Sequence, residues 1–484
     1  MKARHLFIAT ALAALVGCSQ GDELLAGDNS LLNKQQEEVS YIDFSTYNSR
    51  ATTTRGGYVG DITDTELKAS DKANGFGVFA FSTGKDSYGS QAIKYPNFMY
   101  NEHIYWDDAF ATANQGSWKY DVLKPWPNDD ASSGTENYGA LVSFFAYAPY
   151  IASVSGSTGI IYMSGNDHAG NPFVTYRLPN DDNFVDLLWG TCPPGKTYNT
   201  AIGGVAGTQD MSASTYDGSA FPVNINLKKQ KTDEKISFLF KHALAKIGGG
   251  LTGGATTGGL MVQLDIDNNG AITGGSKQGY QIVTIRDIQM ECSQQMEGSP
   301  LVPVALKNQG KFDLATGKWR DITSFGTPNL KNIITSPASS ASLISNSNAN
   351  IRSELAEPAS VTAWSQLPTG VLTTPQNVFA TGTDASLLLI PGTIPVINIT
   401  IDYVVRTQDT KLKDGWSETK QKIKKTVTFT QAVELNKKYN ILMHLGLTNI
   451  KFDATVENWN EDIDNDGDTD SDDTTPVHLP INVN

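Results

Sequence analysis

Ile397, Ile399, Ile401, Tyr403 and Val405 occupy every second position between Val396 and Val405. That spacing gathers all five side chains on one face of an extended strand and on no single face of a helix. The same period returns along most of the chain. Ile441, Met443, Leu445 and Leu447 alternate, and Ile450, Phe452, Ala454 and Val456 resume on the other parity. The slip at Thr448-Asn449 predicts a tight turn or a bulge between two strands. Further strand candidates are Gly77 to Phe81, Phe98 to Trp106, Ser143 to Tyr150 (ended by Pro149), Phe184 to Trp189 and Ile236 to Ile247. They continue with Met261 to Asp267, Gln281 to Met290, Leu387 to Ile390 and Thr426 to Thr430. Clusters of Gly, Asn, Asp and Ser between them read as turns and long loops. No helix of more than a few turns is convincing, so the chain is expected to be all-β, with two β-sandwiches in series.

With 484 residues there is room for two or three domains that each bury a core. Only 18% of residues are charged and 44 are Gly, a turn-rich profile that agrees with β structure. A net charge of -14 argues against nucleic acid or an anionic membrane surface as a partner. Three Cys supply neither a disulfide framework nor a CxxC metal pattern. Cys192 and Cys292 read as small buried hydrophobes or as an isolated pair.

The N-terminus speaks for export. Lys2 and Arg4 precede an apolar run from Leu6 to Val16, too short to span a bilayer comfortably. Leu15-Val16-Gly17-Cys18 resembles the lipobox of bacterial lipoproteins, which makes Cys18 the expected lipidation site; an ordinary signal peptide is the alternative. Asp22 and Glu23 look similar to an acidic tag for the outer surface. Residues 19 to 38 read as a polar tether and Val39 to Phe44 as a short strand. The small, polar loop from Ser45 to Gly57 follows, with Arg50 and Arg55 as its basic residues. Exposed loops of this composition are where proteases cut, and a trypsin-like enzyme would find its targets at Arg50 or Arg55. Gly56-Gly57 favours Arg55.

At the other end, Val477, Leu479, Ile481 and Val483 alternate within the last nine residues, with His478 on the opposite face. The stretch upstream, Glu461 to Asp473, is too acidic for a core. A patterned strand on a polar tether either folds back on its own domain or enters another molecule, and the rest of the chain favours the second. In the tether, Asp462, Asp464, Asp466, Gly467, Asp468, Asp470 and Asp473 fit positions 1, 3, 5, 6, 7, 9 and 12 of an EF-type calcium loop. Thr469 in place of an aliphatic anchor and the lack of flanking helices favour a solvated linker instead. Asp265 to Gly270 shares the opening of that pattern but reads as a hairpin turn. No cofactor is expected beyond this candidate Ca2+ loop.

Catalytic signals are weak. Gly190-Thr-Cys-Pro-Pro-Gly-Lys-Thr197 matches the phosphate-loop pattern, but the glycine-rich continuation cannot supply the helix that such a loop needs. The six His are scattered, without HExxH or GxSxG. His242 reads as a hydrogen-bonded structural residue. Trp118, Trp126, Trp189, Trp319 and Trp416 form a candidate sugar-stacking platform, although sandwich cores absorb most such aromatics. The chain is not expected to be an enzyme.

In the order they occur, several of these pieces resemble the fimbrillin family, the lipoprotein pilins of donor-strand fimbriae. They are the lipobox at Cys18, the Arg-bearing loop, Val78-Phe-Ala-Phe81, Ser143-Phe-Phe-Ala-Tyr-Ala-Pro149 and Asp186-Leu-Leu-Trp-Gly190. Phe240-Lys-His-Ala-Leu-Ala-Lys-Ile247 and Leu435-Asn-Lys-Lys-Tyr-Asn-Ile441, leading to Val456-Glu-Asn-Trp459, complete the set. The resemblance implies two transthyretin-like β-sandwiches, export as an outer-membrane lipoprotein, removal of a first strand by an Arg-specific protease, and polymerisation through a C-terminal donor strand. It divides the chain into a signal peptide at 1–18, a propeptide at 19–55, sandwiches at 56–230 and 231–460, and a linker with donor strand at 461–484. Partners would be copies of the chain and related pilins in a surface filament that supports adhesion and biofilm formation, with unknown adhesion receptors. Rivals are an anchor or tip subunit of the same system and, in another class, a glycan-binding surface lipoprotein.

Overall fold

The computed structural model describes residues 41–46, 64–70, 73–84, 86, 88–90, 95–108, 116–127, 140–180, 185–193, 197–199, 206–208, 223–227, 235–248, 260–264, 281–334, 376–377, 386–409, 411–445, 450–458 and 477–483. Strands dominate these residues, as the period-two runs require. The one α-helix among them is Asp64–Lys68.

Val142–Ala148 and Phe76–Ser82 lie side by side in an eight-stranded sheet with Leu188–Thr191 and Met99–Asp107. Both faces of this sheet are covered. Val78, Ala80, Phe144, Ala146, Leu188 and Phe238 point into one core, while Phe79, Phe81, Phe145, Tyr147 and Trp189 point into another. A strand buried on both sides has no need of polar alternation, which is why Phe-Phe-Ala-Tyr-Ala reads as a continuous apolar run.

The chain passes from the eight-stranded sheet to the next layer within the run Ile236 to Ile247. Ile236–His242 pairs with Leu188–Thr191 and so belongs to the eight-stranded sheet. After Ala243 and Leu244 the chain enters a second layer, where Ala245–Gly248 pairs with Ser386–Leu389 and Lys437–Leu445. The run Ile236 to Ile247 is therefore two strands in two sheets. The sequence does not mark the break because Ala243 and Leu244 are themselves fully buried.

In the C-terminal half, a seven-stranded and a six-stranded sheet enclose one core. Ile397, Ile399, Ile401 and Tyr403 come from the Ile394–Gln408 strand, and Ile441 and Met443 face them from Lys437–Leu445. Lys437–Leu445 and Ile450–Asn458 pair antiparallel from Leu445↔Ile450 onward, the hairpin that the parity slip predicts. Cys192 and Cys292 are both buried, in separate cores, and form no disulfide with each other.

The two halves share a further, four-stranded sheet. Phe173–Arg177 and Gly159–Met163 from the first half pair with Gln309–Asp313 and Lys318–Thr323 from the second. Side chains lock this junction: Trp189 Nε1 donates to Leu314 O at 2.8 Å, and Trp319 Nε1 donates to Ala243 O at 2.7 Å. Gly317, at φ +66°, closes the hairpin where an added Cβ would run into the Trp189 ring. Gly317→Ala should therefore lose at least about 2 kcal/mol by combining left-handed strain with overpacking. Urea unfolding measures this, with Gly326→Ala as the reference, because that turn is open.

Candidate functional site

Phe44–Thr46 is a short strand beginning later than the expected Val39 to Phe44. It runs parallel to Ile236–His242, with Phe44 opposite Ile236 and Thr46 opposite Phe238. On its other side Tyr41 bridges Pro125, and Ile42 N donates to Lys124 O at 3.0 Å. Residues 41–46 are thus wedged between two backbone edges rather than laid along one.

Side chains deepen the seat. Ile42 and Phe44 are 2% and 1% exposed. Ring centroids of Phe76, Tyr120, Phe144 and Phe238 stand 6.5, 5.6, 5.9 and 6.2 Å from that of Phe44. Polar groups anchor both ends: Tyr120 Oη donates to Ile42 O at 2.8 Å, and Trp118 Nε1 donates to Thr46 Oγ1 at 3.1 Å. Ile236 N donates to Asp43 O at 2.8 Å, while Lys235 and Asp43 form an exposed ion pair at 3.0 Å. Burial, opposed in part by the Lys124 amide that donates to the phenol, pushes the Tyr120 hydroxyl up to about 12.

If residues 41–46 left, a groove would remain with an unpaired strand edge on one side, apolar pockets below and hydrogen-bonding groups on the other side. Such a groove is a template for an incoming extended peptide. The wall residues Trp118 and Tyr120 escape the sequence reading. Their strand, Ser117–Lys119, is too short to show a period, and the Trp118-x-Tyr120 spacing is its one trace.

The tail folds back on its own domain, the option that the sequence reading ranked second. Val477–Leu479 pairs with Ile450–Asn458 in the seven-stranded sheet. Ile481–Val483 pairs with Trp416–Phe429 in the six-stranded sheet. Pro480 lies at the crossing, where Thr430 Oγ1 donates to its carbonyl at 2.7 Å. Leu479 is buried, and Ile481 and Val483 pack half-buried against the core, whereas Pro480 and Asn482 are exposed. The expected inward parity holds at these three positions. Val477 is placed in its strand, but its side chain and that of His478 lie outside the described residues.

Cys18, Arg50, Arg55 and the acidic loop residues Asp462, Asp464, Asp466, Asp468, Asp470 and Asp473 also lie outside the described residues, as does the Asp265 to Gly270 turn. No cluster able to hold a metal ion occurs among the described residues. Gly190 and Thr191 sit in a strand, and Thr197–Asn199 is another, so the phosphate-loop pattern does not open a helix. His242 Nδ1 meets Asp186 Oδ2 at 2.6 Å inside the fold, the structural role expected of it. Trp118, Trp126 and Trp189 are at most 4% exposed, and Trp319 packs against the core. These four tryptophans are therefore core rather than a sugar platform, as the sequence favours, and the Trp416 side chain lies outside the described residues.

No protein-family model matches the chain. In sequence it is similar to Fimbrium subunit Fim1C of Phocaeicola vulgatus, 30% identical over 190 residues, which are 39% of this chain. The matched part spans 42% of the length of that curated relative. In structure it is similar to a fimbrial protein from Bacteroides vulgatus, with a TM-score of 0.53 and 18% identity over 87% of this chain and 99% of that one. The structural likeness establishes a shared all-β fold, and the two likenesses together support the resemblance to the fimbrillin family.

Two changes probe the groove. Phe44→Ala should cost about 3–5 kcal/mol in urea unfolding, the usual loss for a buried Phe. The raised Tyr120 value means that the fold favours the protonated phenol. Its contribution is whole below pH 10.0, the ordinary value for a phenol, and is lost as pH rises through about 12. The melting point should fall less steeply across this window in Tyr120→Phe than in the parent, a difference that cancels the other buried tyrosines.

Proposed function

We propose that the chain is a structural subunit of a cell-surface fimbrium, in the stalk, exported as a lipoprotein through Cys18 and activated by cleavage at Arg55 or Arg50. The observation that carries this reading is the seat of residues 41–46. A strand with two buried side chains lies between two backbone edges, directly ahead of the segment that holds both arginines. Cutting there leaves the strand joined to the lipid anchor but no longer to the domain it completes.

The tail of a second copy then takes the vacated groove by β-augmentation. Ile42 and Phe44 leave, and Val477, Leu479, Ile481 and Val483 arrive. Four aliphatic side chains represent about 6–12 kcal/mol of gross transfer free energy, before the costs of ordering. The contact is heterologous and does not close on itself, so repetition yields a filament. In the single chain the tail is sheathed by its own sandwich edge. Assembly must free it from Ile450–Asn458 and Trp416–Phe429, and the hydrogen bond from Thr430 to Pro480 is part of that hold. If the Asp462 to Asp473 loop takes up calcium, the ion stiffens the tether that aims the tail. Surface fimbriae of this kind serve adhesion and biofilm formation.

N-terminal sequencing of the surface-assembled form tests the reading. A start at Ala51 or Gly56 supports a stalk subunit, whereas a lipid-blocked Cys18 supports an anchor. Removing residues 477–484 should leave processed protein that no longer forms ladders resistant to mild detergent. Ladders of unchanged length would exclude the tail as the donor.

A further inference from the structure

A strand that replaces residues 41–46 inherits two walls that address alternate residues. Ile42 N donates to Lys124 O at 3.0 Å, and Ile42 O accepts from Tyr120 Oη at 2.8 Å. A residue with its side chain inward therefore turns its backbone to the wall that carries Tyr120 and Lys124. Asp43, whose side chain is 41% exposed, instead accepts from Ile236 N at 2.8 Å. In the parallel register Phe44↔Ile236 and Ser45↔Ser237, the second wall takes its bonds from residues 43 and 45. Reversing a strand while keeping the same face inward swaps the walls that the two sets of residues address. A replacement that runs in the same direction meets each of these groups where it stands.

The tail has the matching alternation, with one gap in it. On its own domain Leu479 is buried and Ile481 and Val483 are half-buried, while Pro480 and Asn482 are exposed. Proline has no N–H and cannot donate to a ladder. Ile42, Phe44 and Thr46 mark three inward places in the seat, the last through its bond from Trp118 Nε1. Two registers in this direction seat three of the tail's aliphatic residues there. With Val477, Leu479 and Ile481 in these places, Pro480 takes the place of Ser45. A carbonyl of Ile236–His242 then loses its donor inside the ladder, a costly loss. With Leu479, Ile481 and Val483 there, Pro480 takes the place of Asp43. Its carbonyl accepts from Ile236 N as Asp43 does, and its missing N–H falls ahead of the described ladder, which begins at Phe44↔Ile236. The Asn482 amide then serves the ladder in the place of Ser45.

In this second register the side chains also find counterparts, with two exceptions. Ser45 Oγ lies 2.7 Å from Ser237 Oγ, and Asn482 brings a side-chain amide able to hydrogen-bond the same hydroxyl. The Asp43 carboxylate, which accepts from Phe44 N at 2.8 Å and pairs with Lys235 at 3.0 Å, has no replacement in Pro480. Nor has Thr46 Oγ1, which accepts from Trp118 Nε1 at 3.1 Å, because Val483 brings a methyl group instead. Trp118 is 4% exposed, so the exchange leaves its indole N–H facing a side chain that cannot accept.

We infer that Pro480 sets the register of the incoming tail, which runs parallel to Ile236–His242 with Leu479, Ile481 and Val483 in the places of Ile42, Phe44 and Thr46. The inference rests on the strand exchange proposed above. The test is titration of the full chain, cut by an Arg-specific protease, with peptides of residues 474–484. Val483→Thr in the peptide should bind about threefold tighter or better, because a nearly isosteric hydroxyl meets Trp118 Nε1 and adds one net hydrogen bond. The gain should disappear in a Trp118→Phe chain, whatever that change does to the parent peptide. Asn482→Pro should weaken binding about tenfold by moving a proline into the place of Ser45. Equal or weaker binding of Val483→Thr, a gain that persists in Trp118→Phe, or full binding of Asn482→Pro would overturn the register and leave the exchange standing. Failure of the parent peptide to enter the cut chain would overturn the exchange itself, and the register with it.

Discussion

Phe44 sits among four aromatic rings contributed by four different segments of the chain, and residues 41–46 reach it only by pairing on both sides. The ring completes the core of one face of the eight-stranded sheet. Under the proposed cleavage residues 41–46 become a separable strand over an otherwise open groove, an unusual liability for a stable protein. It becomes useful when the vacancy is meant for something else.

In the proposed assembly the groove has to survive its own emptying, and the rest of the architecture explains how it can. The eight-stranded sheet is held from behind by a second core, which continues into the C-terminal half. The hairpin of Gln309–Asp313 and Lys318–Thr323 adds two strands to a sheet begun by the first half. Its Leu314 carbonyl and Trp319 indole are fixed to Trp189 and Ala243. The groove wall is therefore backed by packing that residues 41–46 do not touch. Vacating one face should leave the strand directions intact, which is what an incoming strand needs to find its register.

Most of the strands were legible because period-two burial writes itself into the order of apolar and polar residues. Ile397 to Tyr403 and the hairpin around Thr448-Asn449 are clear cases. Where one sheet hands over to the next was harder to read. Ala243 and Leu244 carry the chain from one sheet to the next while fully buried, so no polar turn marks the crossing. The four-stranded sheet pairs residues 173–177 with 309–313, and nothing local to either strand names its partner. Trp118, Trp126, Trp189 and Trp319 are core, the reading the sequence favoured over a binding platform. Tyr162 and Phe325 are exposed, one turned outward by a bulge and the other stacked on a guanidinium, and neither device has a sequence period. The tail shows both sides of the problem. Its inward parity was readable at Leu479, Ile481 and Val483, but alternation alone cannot say whose sheet receives it.

The central claim is that residues 41–46 keep closed a groove made for a tail. It is tested most directly by binding a synthetic peptide of residues 474–484 to the purified chain before and after cleavage by an Arg-specific protease. The account predicts that the uncut chain ignores the peptide. The cut chain should take up one equivalent while releasing the fragment that contains Phe44, as read by native mass spectrometry. Equal uptake by the uncut chain, or a cut chain that keeps its fragment and binds nothing under conditions where fibres form, would contradict it.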